Sequence, residues 1–248
     1  MDLGLTGRAY VVTAGSRGLG FATARALVDD GAHVLIAGRD ASALARASND
    51  LGSSSHTIAV DLASAVAAQQ LLDVAMTSLG RIDGVLVNVG GPAPGRSLDY
   101  TDEQWRVAID GVLLATVRIM RAFSPAIVDG GSLLTVLSTT VREPIEGLGA
   151  SNVLRPGLAM LVKELSLALA PRVRVNGILP GRIATDRMLA LTSGDPGVQR
   201  QIEESIPLRR LGDPSEFGRV AAFLLSPASS YVTGALVPVD GGILHSPW

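Results

Sequence analysis

Short runs of β-branched and aliphatic residues alternate with longer stretches that carry apolar positions at helical spacing. The short runs are Arg8–Thr13, His33–Ala37, His56–Val60, Gly84–Val87, Ser132–Leu137, Val173–Leu179 and Ala235–Val239, and each reads as a strand. The longer stretches read as helices over Gly18–Asp30, Ala41–Leu51, Ser64–Leu79, Thr101 to about 128, about Ser151–Ala170 and Asp213–Leu225. Their ends carry the expected signals. Gly31, Gly52 and Gly80 follow three of them, Thr101 and Gln104 form a capping-box pair, and Pro214 stands at a first helical position. Leu158, Leu161, Val162, Leu165 and Leu169 place an apolar stripe along the helix that opens near Ser151. Strict alternation of strand and helix predicts an α/β fold, one doubly wound domain with a parallel sheet and helices on both faces. Arg182–Leu211, with Gly194, Pro196 and Gly197, breaks this rhythm. It follows a strand C-terminus, where such sheets bind ligands, and is expected to be a substrate lid.

The first strand leads into Thr13-Ala14-Gly15-Ser16-Arg17-Gly18-Leu19-Gly20, and a helix follows at once. Glycines there let backbone N–H groups approach an anion, and the helix N-terminus adds partial positive charge. Strand, glycine turn and helix together suit a dinucleotide, although the same glycines also suit a tight turn with no ligand.

Composition narrows the class. The 248 residues are 47% hydrophobic but only 4% aromatic, which suits buried parallel strands under close-packed helices. The net charge of −2, of mixed sign, gives no nucleic-acid footprint and no basic membrane patch. With no cysteine, disulfide and thiolate chemistry are excluded. No apolar run approaches membrane-spanning length, and Met1–Gly7 carries no leader pattern, so the expectation is a cytoplasmic protein. No His, Asp or Glu cluster has metal-ligand spacing.

Over nearly its whole length the chain resembles the short-chain dehydrogenase/reductase family, most nearly the β-ketoacyl carrier-protein reductases. The resemblance rests on Thr13 to Gly20, Asp61-Leu62, Asn88 to Gly91, Ser138 at the end of the fifth strand, and Asn176 to Gly181 with Thr185. Pro207 to Pro214 and the Thr233-Gly234 to Gly242 stretch add to it. It implies a Rossmann domain that binds a nicotinamide dinucleotide. Thr13, Gly15, Ser16, Arg17, Gly18, Leu19 and Gly20 would hold the phosphates. Asp61 and Leu62 would meet the adenine, Asn88 and Gly90 its ribose, and Pro180, Gly181 and Thr185 the nicotinamide end. Readers of NAD carry an acid at the end of the second strand, whereas Gly38-Arg39 stands there in this chain. Arg39 and Arg17 together suit a 2′-phosphate and imply NADP(H), and a solvated turn residue is the other reading of Arg39.

The chain departs from the family at several points. Ala14 stands where a glycine is usual. Of the usual catalytic Ser, Tyr, Lys and Asn, Ser138 is present. Ser151 occupies the tyrosine position, Arg155 the lysine position, and Val112 the helix asparagine position. A phenol can be drawn toward neutrality by a cation, whereas an aliphatic hydroxyl is a far weaker acid and arginine effectively never gives up its proton. Ser138, Ser151 and Arg155 therefore form the candidate catalytic set, with an altered proton donor. Asp110, Glu143 and Glu146 are candidate proton carriers, Arg96 and Arg142 could hold an acidic substrate, and His245 reads as part of the tail.

Three functions fit this pattern. The first is an NADP(H)-dependent oxidoreductase acting on a small carbonyl or alcohol, or a related C=C or C=N. The second is a non-redox dehydratase, isomerase or cyclase on the same frame. The third is a dinucleotide-binding protein without catalysis. The resemblance also implies a homotetramer or homodimer, packed through the two long helices. Val112, Leu113, Val117, Met120, Leu158 and Leu165 offer apolar surface for core or interface.

Overall fold

The computed structural model describes residues 2–191 and 196–246. Seven strands form one parallel sheet: β1 (Ala9–Val12), β2 (His33–Gly38), β3 (Ser55–Ala59), β4 (Gly84–Val87), β5 (Gly131–Val136), β6 (Val173–Pro180) and β7 (Leu236–Val239). Their order is β3-β2-β1-β4-β5-β6-β7. The order reverses between β1 and β4, where Val12 lies in register with Leu86. A ligand crevice forms beyond the strand C-termini at such a reversal.

Alternate residues of the central strands feed two cores. Val11, Leu35 and Val85 face one layer, built from α3 (Ala67–Leu79), α5 (Ala115–Phe123) and α6 (Gly149–Ala168). Val12, Ile36 and Leu86 face the other, built from α1 (Gly18–Asp29), α2 (Ala41–Leu51) and α9 (Pro214–Leu225). Every residue of β1, β4 and β5 is buried, as a sheet covered on both faces requires. Truncating one of these side chains, as in Leu35→Ala, costs about 2–5 kcal/mol.

Two segments differ from the sequence expectation. The helix expected from Thr101 to about 128 is α4 (Asp102–Ala108), a π-helical stretch (Ile109–Leu114) and then α5, ending at Phe123. It stops there because the Ser124 hydroxyl takes the Met120 carbonyl and the Arg172 guanidinium takes the carbonyls of Ser124 and Ile127. The wide turn falls at Val112, where the resemblance expects a bending asparagine. It forms without that side chain, and the Thr116 hydroxyl satisfies the Val112 carbonyl at 2.7 Å. The second segment is 182–211, read as irregular. It contains α7 (Asp186–Leu191) and α8 (Pro196–Ser205). The Met188 N–H donates to Thr185 Oγ1 in the first turn of α7, and a Gln199–Glu203 side-chain bond of 2.9 Å braces α8. Gly194 lies outside the described residues.

Candidate active site

The glycine turn after β1 is held from below. Thr13 is fully buried, and its hydroxyl donates to the Asn88 carbonyl at 2.7 Å and accepts from the Asn88 N–H at 2.8 Å. It thereby pins the end of β1 to the end of β4. Gly15 and Gly20 are needed for close approach. A Cβ on Gly15 would stand 2.9 Å from Ile36 Cβ, and one on Gly20 would stand 2.3 Å from the Ala14 carbonyl oxygen. Ala14 takes the glycine-like conformation at φ 47° despite its methyl group. Helix α1 then begins at Gly18 with no side-chain cap, so its first N–H groups stay available to an anion. Across the crevice, Thr185 reaches this turn, its methyl 3.4 Å from where a Cβ on Gly18 would lie.

The end of β2 settles where the nearest acid goes. Asp40 caps α2, accepting from the Ser42 hydroxyl and from the N–H groups of Ser42 and Ala43. These bonds hold its carboxyl below the usual range. Arg17 and Arg39 are both exposed, and neither guanidinium makes a hydrogen bond or ion pair with another described residue. Asp61 is exposed, its carboxylate accepting from the Ala63 N–H and its carbonyl from the Ser64 N–H, while Leu62 packs half-buried against the core. Beside Gly90 a Cβ would meet nothing within 4 Å, so this side of the crevice is open. Gly181 is fixed by its N–H to the Val239 carbonyl at 3.0 Å. Pro180 ends β6 beside it. The sequence-predicted cofactor residues thus share the C-terminal edge of the sheet.

On the other side of the reversal lies a cleft of about 250 Å³. It is lined by Ser138 and Thr139, by Glu143 to Ile145, by Pro180 to Arg182, and by Ile243 to His245 with Leu148. Ser138 caps a short 3₁₀ turn, its Oγ accepting from the Thr140 N–H at 3.1 Å, so its own O–H remains to donate. Ser151 is buried beneath this wall and does not line the cleft; its Oγ lies 3.2 Å from Thr140 Oγ1. Arg155 is also buried, and it donates to the Val136 carbonyl at 2.8 Å, two residues before Ser138. The i,i+4 pair therefore braces the end of β5, and Ser138 is the member of the candidate set on the cleft wall. Asn152 staples the following loop to α6 through paired bonds to Ile145.

The three candidate carboxylates separate. Asp110 pairs with Arg118 at 3.5 Å, and Glu146 is exposed away from the cleft. Glu143 lines it. Arg142 donates to the Leu236 carbonyl and Arg96 is exposed, so neither lines the cleft. His245, set aside as a tail residue on sequence, stands at the cleft rim, its ring 93% exposed and its Nδ1 3.3 Å from Glu143 Oε2. Nothing in the local pattern signals this, because the contact spans 102 residues. None of the tyrosines lines the cleft. Tyr10 is buried in the core, where burial pushes its phenol up, Tyr100 bonds the Ala93 carbonyl, and Tyr231 is fully exposed. Among the described residues no cluster could hold a metal, and no helix is long and apolar enough to cross a membrane.

Residues 13–244 match the family model described as enoyl-(acyl carrier protein) reductase. An uncharacterized oxidoreductase of Mycobacterium tuberculosis is 36% identical over 96% of this chain and 93% of its own length. Dehydrogenase/reductase SDR family member 4 of Oryctolagus cuniculus is 35% identical over 96% and 94%. Among solved structures, L-sorbose reductase from Gluconobacter frateurii, complexed with NADPH and L-sorbose, superposes with a TM-score of 0.94 at 26% identity, covering 99% of this chain and 100% of that one. The NADPH-bound short chain oxidoreductase of Pseudomonas aeruginosa PAO1 containing an atypical catalytic center gives 0.91 at 29% identity, covering 96% and 97%. With the parallel seven-stranded sheet and the glycine turn at its reversal, these matches make the chain a member of the short-chain dehydrogenase/reductase family of oxidoreductases.

Proposed function

We propose that the protein is an NADP(H)-dependent oxidoreductase acting on a small carbonyl or alcohol, or a related C=C or C=N, without the phenol that usually donates the proton. The observation that carries the cofactor choice is at the end of β2. Asp40 is consumed as a helix cap, and the guanidiniums of Arg17 and Arg39 stand exposed without partners among the described residues. Two such groups match a 2′-phosphate, whereas a ribose diol needs an acceptor. The NADPH in two of the similar structures supports the same choice.

Bound NADP(H) would supply or take the hydride. The chain's part is to hold and orient. The turn from Thr13 to Gly20 and the uncapped start of α1 would take the phosphates. Asp61, Leu62, Asn88 and Gly90 would line the adenosine half, and Pro180, Gly181 and Thr185 the nicotinamide half. Ser138 would donate its O–H to the substrate oxygen. Ser151 would act on it through Thr140, and Arg155 would add a fixed positive charge behind the strand end. Residues 182–211 would cover the substrate. Val153, Met160 and Leu167 lie at seven-residue intervals on α6 and are exposed, as is Val107 on α4, which suits packing against further copies in a homotetramer or homodimer.

The test is NADPH oxidation across a panel of carbonyls, enones and imines, followed by Ser138→Ala on the substrate turned over fastest. That change should lower kcat by about 10²–10³-fold and leave NADPH binding intact. Substrate turnover with no change in nicotinamide absorbance would instead favour a non-redox lyase or isomerase, for which Glu143 in the cleft is a ready base. NADPH binding with no turnover, indifferent to Ser138→Ala, would mark a binding protein.

A further inference from the structure

The cleft beside Ser138 has lost its phenol, and its wall shows what remains to give a proton. Its titratable groups among the described residues are Glu143, Arg182 and His245. A guanidinium such as that of Arg182 is a poor proton donor. Burial raises the Glu143 carboxyl, but N–H bonds from Ser246 and His245 outweigh it and hold the group ionised, below its usual value. That leaves the exposed imidazole of His245, a ring that can carry a proton on either nitrogen.

We propose that His245 is the proton donor to the substrate oxygen in this cleft and that Glu143 is its positioning residue. The proposal rests on the oxidoreductase reading above. Glu143 reaches across from the loop after β5. Its Oε1 accepts from the backbone N–H groups of His245 and Ser246 at 2.8 and 2.6 Å, and its Oε2 faces His245 Nδ1 at 3.3 Å. Asp240 fixes the other end of the segment, accepting from the N–H groups of Gly242 and Leu244 at 2.9 and 3.0 Å. The tail is thus seated over the cleft by two carboxylates, and its ring is oriented through Nδ1. Nε2 is the nitrogen left for a ligand. This is the orienter-and-acid arrangement of a general acid. The remaining charged neighbours are Arg182 on the facing wall and Arg142, which is turned to the Leu236 carbonyl.

In the step, the Nε2–H bond of the imidazolium breaks and an O–H bond forms on the substrate. The oxygen takes that proton with the electron pair freed when the carbonyl carbon accepts hydride. Bound NADPH would supply the two electrons and be oxidised as the carbonyl is reduced to an alcohol. The ring is left neutral and regains its proton from water.

The test uses the full chain, with NADPH binding measured by calorimetry, steady-state reduction of the fastest carbonyl in the panel, and the histidine ring signals followed by ¹⁵N NMR. We expect His245→Ala to bind NADPH as the parent does, to lose about a hundredfold in kcat with KM unchanged, and to recover rate when imidazole is added. The His245 signal, assigned by its loss in His245→Ala, should shift when NADPH is added. Glu143→Gln should lose the hydrogen-bonded Nδ1 signature and part of the rate. A His245→Ala enzyme as fast as the parent, a loss that imidazole does not restore, or a ring signal indifferent to NADPH would overturn the proposal while leaving the oxidoreductase reading standing. A parent that binds no NADPH would overturn both.

Discussion

Ala14 holds a left-handed backbone, φ 47°, in the glycine turn after β1. The conformation costs an alanine about 1–2 kcal/mol, and a glycine escapes that cost but loses some chain entropy. Ala14→Gly should therefore raise stability by about 0.5–1 kcal/mol in urea titration, with no change in fold. The strain persists where Gly15 and Gly20, which follow it, are already packed to contact against Ile36 and the Ala14 carbonyl. Arg17 and Arg39 make the second prediction at this scale. Replacing either by Ala should weaken NADPH about tenfold, roughly 1.5 kcal/mol of charge-assisted bonding, and leave NADH unchanged in the same calorimetric titration. These residues were legible in the sequence because local chemistry dictates them: glycines at a turn, and cations where an acid is usual. His245 was not, since its partner is 102 residues away and neither side chain sits in a motif. Ser151 and Arg155 were legible as a spaced pair. What spacing does not carry is depth, and the fold sets both of them behind the cleft wall.

Helix α9 is closed by a charged clasp. Asp213 and Glu216 form a capping box, and Arg210 holds Glu216 through two bonds of 2.7 Å. The Arg210 hydrogen bonds, with the Asp213 N–H, push the Glu216 carboxyl down to about 2 from 4.5. A folded pKa below the unfolded one stabilises the native state above pH 4.5, and the contribution disappears as pH falls toward 2. Glu216→Gln should remove that part of the acid sensitivity, so that denaturation midpoints of parent and variant converge as pH falls through this window. Element ends of this kind were readable from Asp213, Pro214 and the spacing of polar residues. The π stretch in the helix after Thr101 was not, because a wide turn of six residues is too short to show in the apolar pattern and has no proline or asparagine to mark it. The helices within 182–211 were missed for a different reason. Gly194, Pro196 and Gly197 look like loop residues, yet proline is at home in the first turn of a helix.

At the scale of the molecule, one sheet carries everything. Its reversal between β1 and β4 places the glycine turn on one side and Ser138, Pro180 and Gly181 on the other, all at the strand C-termini. Alternation of strands and helices made this architecture legible, because buried parallel strands need apolar runs and the helices between them need stripes. The outer surface was less so. Val112, Met120 and Leu158, offered by the sequence for core or interface, are core, whereas Val153, Met160 and Leu167 are the exposed positions on α6. If that stripe is the contact between copies, Met160→Glu should reduce the assembly to a smaller species in light scattering. An unchanged mass would place the contact elsewhere.

The crevice is proposed to take a 2′-phosphorylated nicotinamide dinucleotide, and calorimetry of the purified protein with NADPH, NADP⁺, NADH and NAD⁺ decides it. NADPH and NADP⁺ should give saturable heat, and the two cofactors that lack the 2′-phosphate should bind at least about tenfold more weakly. Equal affinity for NADH and NADPH, or no heat with any of the four, would contradict it.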